Sequence, residues 1–205
     1  MGYHHGDLRV ALIDAGTALV AEGGLSALSV AETARRTGVS PAAPYRHFPS
    51  RQDLLVAVAL QAAHELDAAL EAAAAAAGDD PVEAVAAAAA AYVRFAASRR
   101  IGFDVVYAPE LRGVHDERLR EAGRSVSDII LLRVLDATGG DAQAAVDLIP
   151  RFMAVAHGCA ALNQIGLFSD LDGAAAVAAD TVRTLVHDAA RAADLDDDIV
   201  WDESS

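Results

Sequence analysis

The sequence predicts an all-α protein, on three observations. Hydrophobic residues make up 54% of its 205 residues, and much of that share is alanine, as in Ala72 to Ala77 and Ala86 to Ala91. Alanine is the strongest helix former and adds little volume, so helices rich in it pack closely. No run alternates polar and apolar residues over a strand length. Breaks fall instead at Gly23-Gly24, Gly78 to Pro81, Arg99 to Gly102, Pro109 to Gly113, Gly139 to Asp141 and Asp170 to Gly173.

Taken in order, Leu8, Leu12, Ala15 and Leu19 form one stripe of an amphipathic helix that Gly23-Gly24 ends. Ser29-Val30-Ala31-Glu32 has the pattern of a capping box, in which serine and glutamate satisfy each other's free backbone donors. A short helix is therefore expected from Ser29 to about Arg36. Thr37-Gly38-Val39 makes a tight turn, with Gly38 supplying a positive φ and Val39 covering the core beneath it. Ser40 caps the next helix and Pro41 opens it, where a missing N–H does no harm.

That helix has room for two turns, Ala42 to His47, before Pro49 stops it, with Phe48 as its apolar anchor. Pro44 falls within it and is expected to distort it, because proline removes a helical hydrogen bond. Ser50 to Asp53 opens a further helix with its own cap. Beyond residue 60, helices are expected over 61–77, 81–98, 99–108, 115–138, 142–168 and 173–193. The total is about nine, arranged as a three-helix helix-turn-helix domain over 1–56 and a helical bundle domain over 57–205. The acidic tail from Asp194, with Trp201, stands outside them.

The formal charge of −14 is unevenly spread. In residues 1–60, Arg9, Arg35, Arg36, Arg46 and Arg51 balance Asp7, Asp14, Glu22, Glu32 and Asp53, so the remainder carries the whole excess. Phosphate binding needs local positive potential rather than a basic protein, so the N-terminal part is the one able to face nucleic acid. The chain contains no lysine, which leaves arginine and histidine for every cationic contact.

The same absence removes Walker-loop and Schiff-base chemistry. No Gly-x-Ser-x-Gly or Gly-x-Gly-x-x-Gly occurs, and His64-Glu65 lacks a metalloprotease partner. The reading is a non-enzyme without cofactor or metal. No signal-peptide pattern or charge-free membrane span is seen, and the lone Cys159 suits a reducing compartment, so a cytoplasmic protein without a membrane partner is expected.

The runs Tyr3 to Arg9, Thr37 to Phe48 and Ser50 to Leu55 together resemble the N-terminal domain of the tetracycline-repressor (TetR) family. The resemblance covers about 50 residues and matches caps, turn and aromatic positions in register. It implies a homodimer on a two-fold symmetric, double-stranded DNA operator and a variable C-terminal domain that takes a small-molecule inducer. The expected function is a repressor released from a palindromic operator by an inducer of unknown identity. An activator, or a helical small-molecule or protein-binding module without DNA regulation, are the alternatives.

The DNA-binding residues so implied are Ser29, Ser40, Pro41, Ala42, Ala43, Tyr45, Arg46, His47 and Arg51. Ser40 to Ala43 would face bases, Tyr45 and His47 would meet phosphates, and Arg51 stands where the family commonly has lysine. Arg35 and Arg36 end their helix, where cations favour the dipole and could also reach phosphate. Arg9 and Tyr3 could do so from an N-terminal arm. Ala156-His157-Gly158 is similar to a subgroup with a Trp-His-Gly motif, alanine replacing the tryptophan. Candidate ligand residues are Phe103, Tyr107, Phe152, Met153, His157, Asn163 and Gln164, since such pockets are mainly apolar with a few polar groups. The stripe Val177, Thr181, Leu185 and Ala189 on the last of the two C-terminal helices suits one half of a four-helix dimer interface.

Overall fold

A computed structural model describes residues 5–99, 103–106 and 108–197. Among these residues the chain is all-helical. Seven helices of eight residues or more follow in order: α1 (His5–Gly23), α2 (Val30–Thr37), α3 (Arg51–Ala76), α4 (Pro81–Arg99), α5 (Glu117–Ala137), α6 (Ala142–Gln164) and α7 (Leu171–Asp197). A one-turn helix at Phe103–Val106 and 3-10 turns at Leu25–Ala27, Pro44–Arg46 and Pro109–Leu111 complete them.

The expected count of about nine is too high for two reasons. No glycine or proline interrupts residues 51 to 76, so the two helices expected on either side of residue 60 are one continuous α3. The expected helix at Ala42 to His47 does not form at all, as described below. The expected helix over 99–108 is one turn among the described residues.

The packing divides the chain into two compact units: Met1–Leu66 with Phe95–Arg124, and Asp67–Arg94 with Ser125–Ser205. In the first, α1 and α2 pack together with the start of α3 over Leu12, Leu19, Leu28, Val30, Ala34, Phe48, Leu54 and Val58, all buried. Gly16 permits this. A Cβ there would stand 3.1 Å from Val58 Cγ2 and 3.2 Å from Leu28 Cδ1, closer than an unshifted neighbour tolerates.

An ion-pair bracket ties α1 to α2 on the surface. Arg36 donates from Nη1 to Glu22 Oε1 at 2.8 Å, and Arg35 donates from Nε to Glu32 Oε2 at 2.9 Å. The hydrogen bond from Arg36 holds the Glu22 carboxyl below its ordinary value of 4.5, and that from Arg35 does the same to Glu32. A carboxylate whose pKa is depressed on folding stabilises the fold above its unfolded pKa and loses that contribution as the pH falls through the folded one. Stability is therefore expected to fall as the pH drops below about 4.5. Urea midpoints measured from pH 7 to pH 3 should show a shallower acid-side loss for Glu22→Gln.

The second unit is built on the α6–α7 hairpin, where Ala145, Ala156, Ala174, Ala175 and Ala178 are wholly buried. Small side chains at these contacts let the helix axes approach closely. Asp141 caps α6 by accepting from the backbone N–H groups of Gln143 and Ala144. Arg183 donates from Nε to Glu83 Oε1 at 2.6 Å and so clips α7 to α4. By length and composition α6 is the one described helix apolar enough to cross a membrane, and only a third of that stretch is buried within the chain.

Candidate nucleic-acid interface

Local chemistry sets the frame of the site. Ser29 caps α2 by accepting from the Glu32 N–H at 3.4 Å. The Glu32 carboxylate turns to Arg35, so the expected reciprocal box is realised on one side. Gly38 ends α2 in the left-handed conformation, φ 69° and ψ 23°, and its N–H returns to the Ala34 and Arg35 carbonyls. Val39 donates to Ala34 O at 3.1 Å and lies half-buried below the turn. At the far side, Ser50 and Asp53 form a reciprocal cap on α3. The Ser50 N–H donates to Asp53 Oδ2 at 2.9 Å, and the Asp53 N–H donates to Ser50 Oγ at 3.2 Å.

Between these caps the structure corrects the expected recognition helix. Residues 41–43 form turns and Pro44–Arg46 a single 3-10 turn, rather than two α-helical turns opened by Ser40. The bonds run from residue i to i−3, Ala43 to Ser40, Arg46 to Ala43 and His47 to Pro44. Phe48 N–H also donates to Pro44 O, at 2.8 Å. Pro44 is the cause. It has no N–H to return to Ser40, and its ring disfavours helical backbone at the residue before it. Its ring is buried, so the residue that breaks the helix also anchors the turn.

Two further anchors hold the turn in place. Phe48 is 2% exposed, and the Arg9 guanidinium carbon stands 5.3 Å from the centre of its ring. Outside lie Ser40, Pro41, Ala42, Tyr45 and Arg46, all exposed, while Ser29, Ala43 and His47 are half-buried. Tyr45 is 49% exposed, so it is not the core aromatic that its type permits. Arg51 is placed differently from the other candidates. Its Nε donates to Leu28 O at 3.1 Å and its Nη2 to Leu25 O at 2.6 Å, which braces the α1–α2 connection. Tyr3 lies outside the described residues.

In the second unit, His157 on α6 meets Tyr92 on α4, with Nδ1 and the phenol oxygen 3.2 Å apart. The spacing of the sequence gives no sign of this pair, because its members lie 65 positions apart. Phe152 is buried in the core, Met153 and Asn163 are half-buried, and Gln164 is exposed. Tyr107 lies outside the described residues, as does the Phe103 side chain. Burial raises the Cys159 thiol pKa, as for a packed thiol rather than a reactive one.

Two family models match the chain. Residues 12–58 match the bacterial regulatory proteins of the tetR family, and residues 85–189 match a tetracyclin repressor-like C-terminal domain. The chain belongs to the TetR family. It is accordingly a DNA-binding transcriptional regulator, and the frame built by Ser29, Gly38, Phe48 and Ser50 is the family's helix-turn-helix, here with a 3-10 turn in place of the recognition helix.

Solved structures agree with this assignment. A protein of unknown function from Rhodococcus sp. RHA1 is 33% identical with a TM-score of 0.74, over 90% of this chain and 97% of that one. A TetR-family regulatory protein from Rhodococcus RHA1 shares 23% identity, with a TM-score of 0.69 over 87% and 96% of the two chains. The TetR-family regulator PfmR from Thermus thermophilus shares 21%, with a TM-score of 0.61 over 86% and 97%. No curated protein matches the sequence.

Proposed function

We propose that this regulator is a homodimeric, cytoplasmic repressor that leaves a palindromic operator when a small molecule binds its C-terminal domain. The observation that carries the DNA half is the exposed run Ser40 to Arg46, held between two capped helices over a buried Phe48. Small and polar side chains at Ser40, Ala42 and Ala43 let a backbone come close to base edges. Tyr45 and His47 are the phosphate partners. Ser29 and Arg51 act through the frame, Ser29 as a cap and Arg51 as a brace.

The dimer is supported by the second unit. On the α6–α7 hairpin Val146 is 58% exposed, Leu162 39%, Ile165 77% and Val177 45%. A monomer has no reason to leave so apolar a pair of helices uncovered, and two copies joined there make a four-helix interface. A single short reading element covers few base pairs, and two are needed about one DNA turn, roughly 34–36 Å, apart. For the inducer, Phe152, Met153 and the Tyr92–His157 pair supply an apolar wall with one polar point. A ligand favouring the DNA-incompetent conformation would empty the operator by shifting the population.

The test is gel retardation of the duplex upstream of the chain's own reading frame. A hydrogen bond to a charged group contributes about 1.5–3 kcal/mol. The double variant Tyr45→Ala with His47→Ala is thus expected to bind at least about a hundredfold more weakly than the parent. Unchanged affinity would remove this reading of the surface.

A further inference from the structure

The first unit spends its positive charge internally, with one exception. Arg35 is bonded to Glu32, and Arg36 to Glu22, with Glu32 also 3.6 Å away. Arg51 is committed to two backbone carbonyls. Arg9 lies over the face of Phe48. Of the five arginines in residues 1–60 only Arg46 has no ion pair, hydrogen bond or ring contact among the described residues, and it is exposed. A solvated, unneutralised guanidinium in the middle of a DNA-facing turn is free to bond elsewhere.

The 3-10 geometry determines where it points. Residues three apart eclipse in such a turn, so Pro44 and His47 share the inward side, in agreement with a buried Pro44 and a half-buried His47. Tyr45 and Arg46 stand about 120° to either side of that edge. The residue beneath Arg46 in the same register is Ala43, which is too small to obstruct it and carries no polar group of its own. Along the exposed run the side-chain donors are Ser40, Tyr45 and Arg46, and Arg46 alone presents a planar two-donor fork.

We propose that Arg46 is the specificity-determining residue of this regulator, donating two hydrogen bonds to the O6 and N7 atoms of one guanine in the major groove of each half-site. The inference rests on the DNA-binding reading above and says which contact carries sequence information. Guanine is the base whose major-groove edge offers two adjacent acceptors, and arginine matches it in a bidentate manner. The other members of the run position the protein on the backbone.

The experiment uses the full-length protein. A random-sequence duplex library selected with the parent yields a consensus, and each G·C pair in it is then replaced singly. Parent, Arg46→Ala and Arg46→Lys are titrated against all of these duplexes at several salt concentrations. Arg46→Ala is expected to bind the consensus about 5- to 150-fold more weakly. It should also be indifferent to replacement of the one symmetry-related G·C pair that costs the parent a similar factor. Arg46→Lys should keep non-specific affinity while losing discrimination at that pair, because a lysine is a point charge without the fork.

The proposal is overturned if Arg46→Ala weakens binding equally on every duplex and lowers the salt slope by about 0.9, the signature of a phosphate contact. It is overturned equally if all discrimination survives in Arg46→Ala. If the parent enriches no sequence, the repressor reading fails and this inference goes with it. Arg46 has no internal partner among the described residues, so thermal melting of the variants should coincide with that of the parent.

Discussion

Truncating Phe48 to alanine is expected to destabilise the protein by about 3–5 kcal/mol, the usual cost of emptying a buried aromatic site. The ring is 2% exposed and closes the core formed by Leu12, Leu28, Leu54 and Val58, all of them wholly or nearly buried. Little can collapse into the space, because neighbouring Gly16 already marks the closest approach of α1 to α3. For a chain of this size the loss corresponds to roughly 10 °C in the melting temperature. Phe48→Leu keeps most of the volume and should cost less than about 1.5 kcal/mol. The functional effect should exceed the stability effect. Phe48 anchors the Pro44 to His47 turn from below and supports the Arg9 guanidinium, so a folded Phe48→Ala chain would still present a loose reading element. Calorimetry and operator titration on the same sample separate the two. A melting temperature within about 2 °C of the parent would contradict this account of the core.

Replacing Leu162 and Ile165 together by glutamate is expected to give a monomer with little operator affinity. Both lie at the C-terminal end of α6, three residues apart, and are exposed in the single chain. Each apolar side chain covered by a partner is worth about 1.5–3 kcal/mol, and a two-fold interface uses every position twice. Adding buried charge makes the loss larger, so the dimer should weaken by roughly a thousandfold or more. Sedimentation equilibrium reads the assembly and circular dichroism reads the helix content, which should not change. A variant that sediments as a dimer would move the interface to another face.

These expectations divide according to how local their causes are. Ser29, Gly38, Ser50 and Gly78 act through the backbone within a few residues, so helix ends and the turn after α2 follow from the sequence by itself. The capping serines and the left-handed Gly38 fall where their chemistry requires. Pro44 belongs with them, since the loss of one N–H and the constraint on Ala43 are local effects, and the sequence pointed to a distortion there. It did not reveal how far the distortion would go. Whether two α-helical turns survive or collapse to one 3-10 turn depends on the burial of the Pro44 ring against the unit's own core.

Other features depended on tertiary structure for the same reason. That α3 is one helix through residue 60 follows from the absence of a breaker, but the periodicity there changes as the helix passes from one set of neighbours to another, so the pattern reads as two. The bracket from Glu22 to Arg36, the brace from Arg51 to Leu25 and Leu28, and the Tyr92–His157 pair join residues 14 to 65 positions apart. Spacing along the chain carries no information about such pairs. What the sequence determined by itself was an all-helical regulator with a capped DNA-facing turn, because caps, glycines and prolines act at short range. Which of its arginines remain available to DNA was decided only in three dimensions, because a guanidinium is free or spent according to what the folded chain brings beside it.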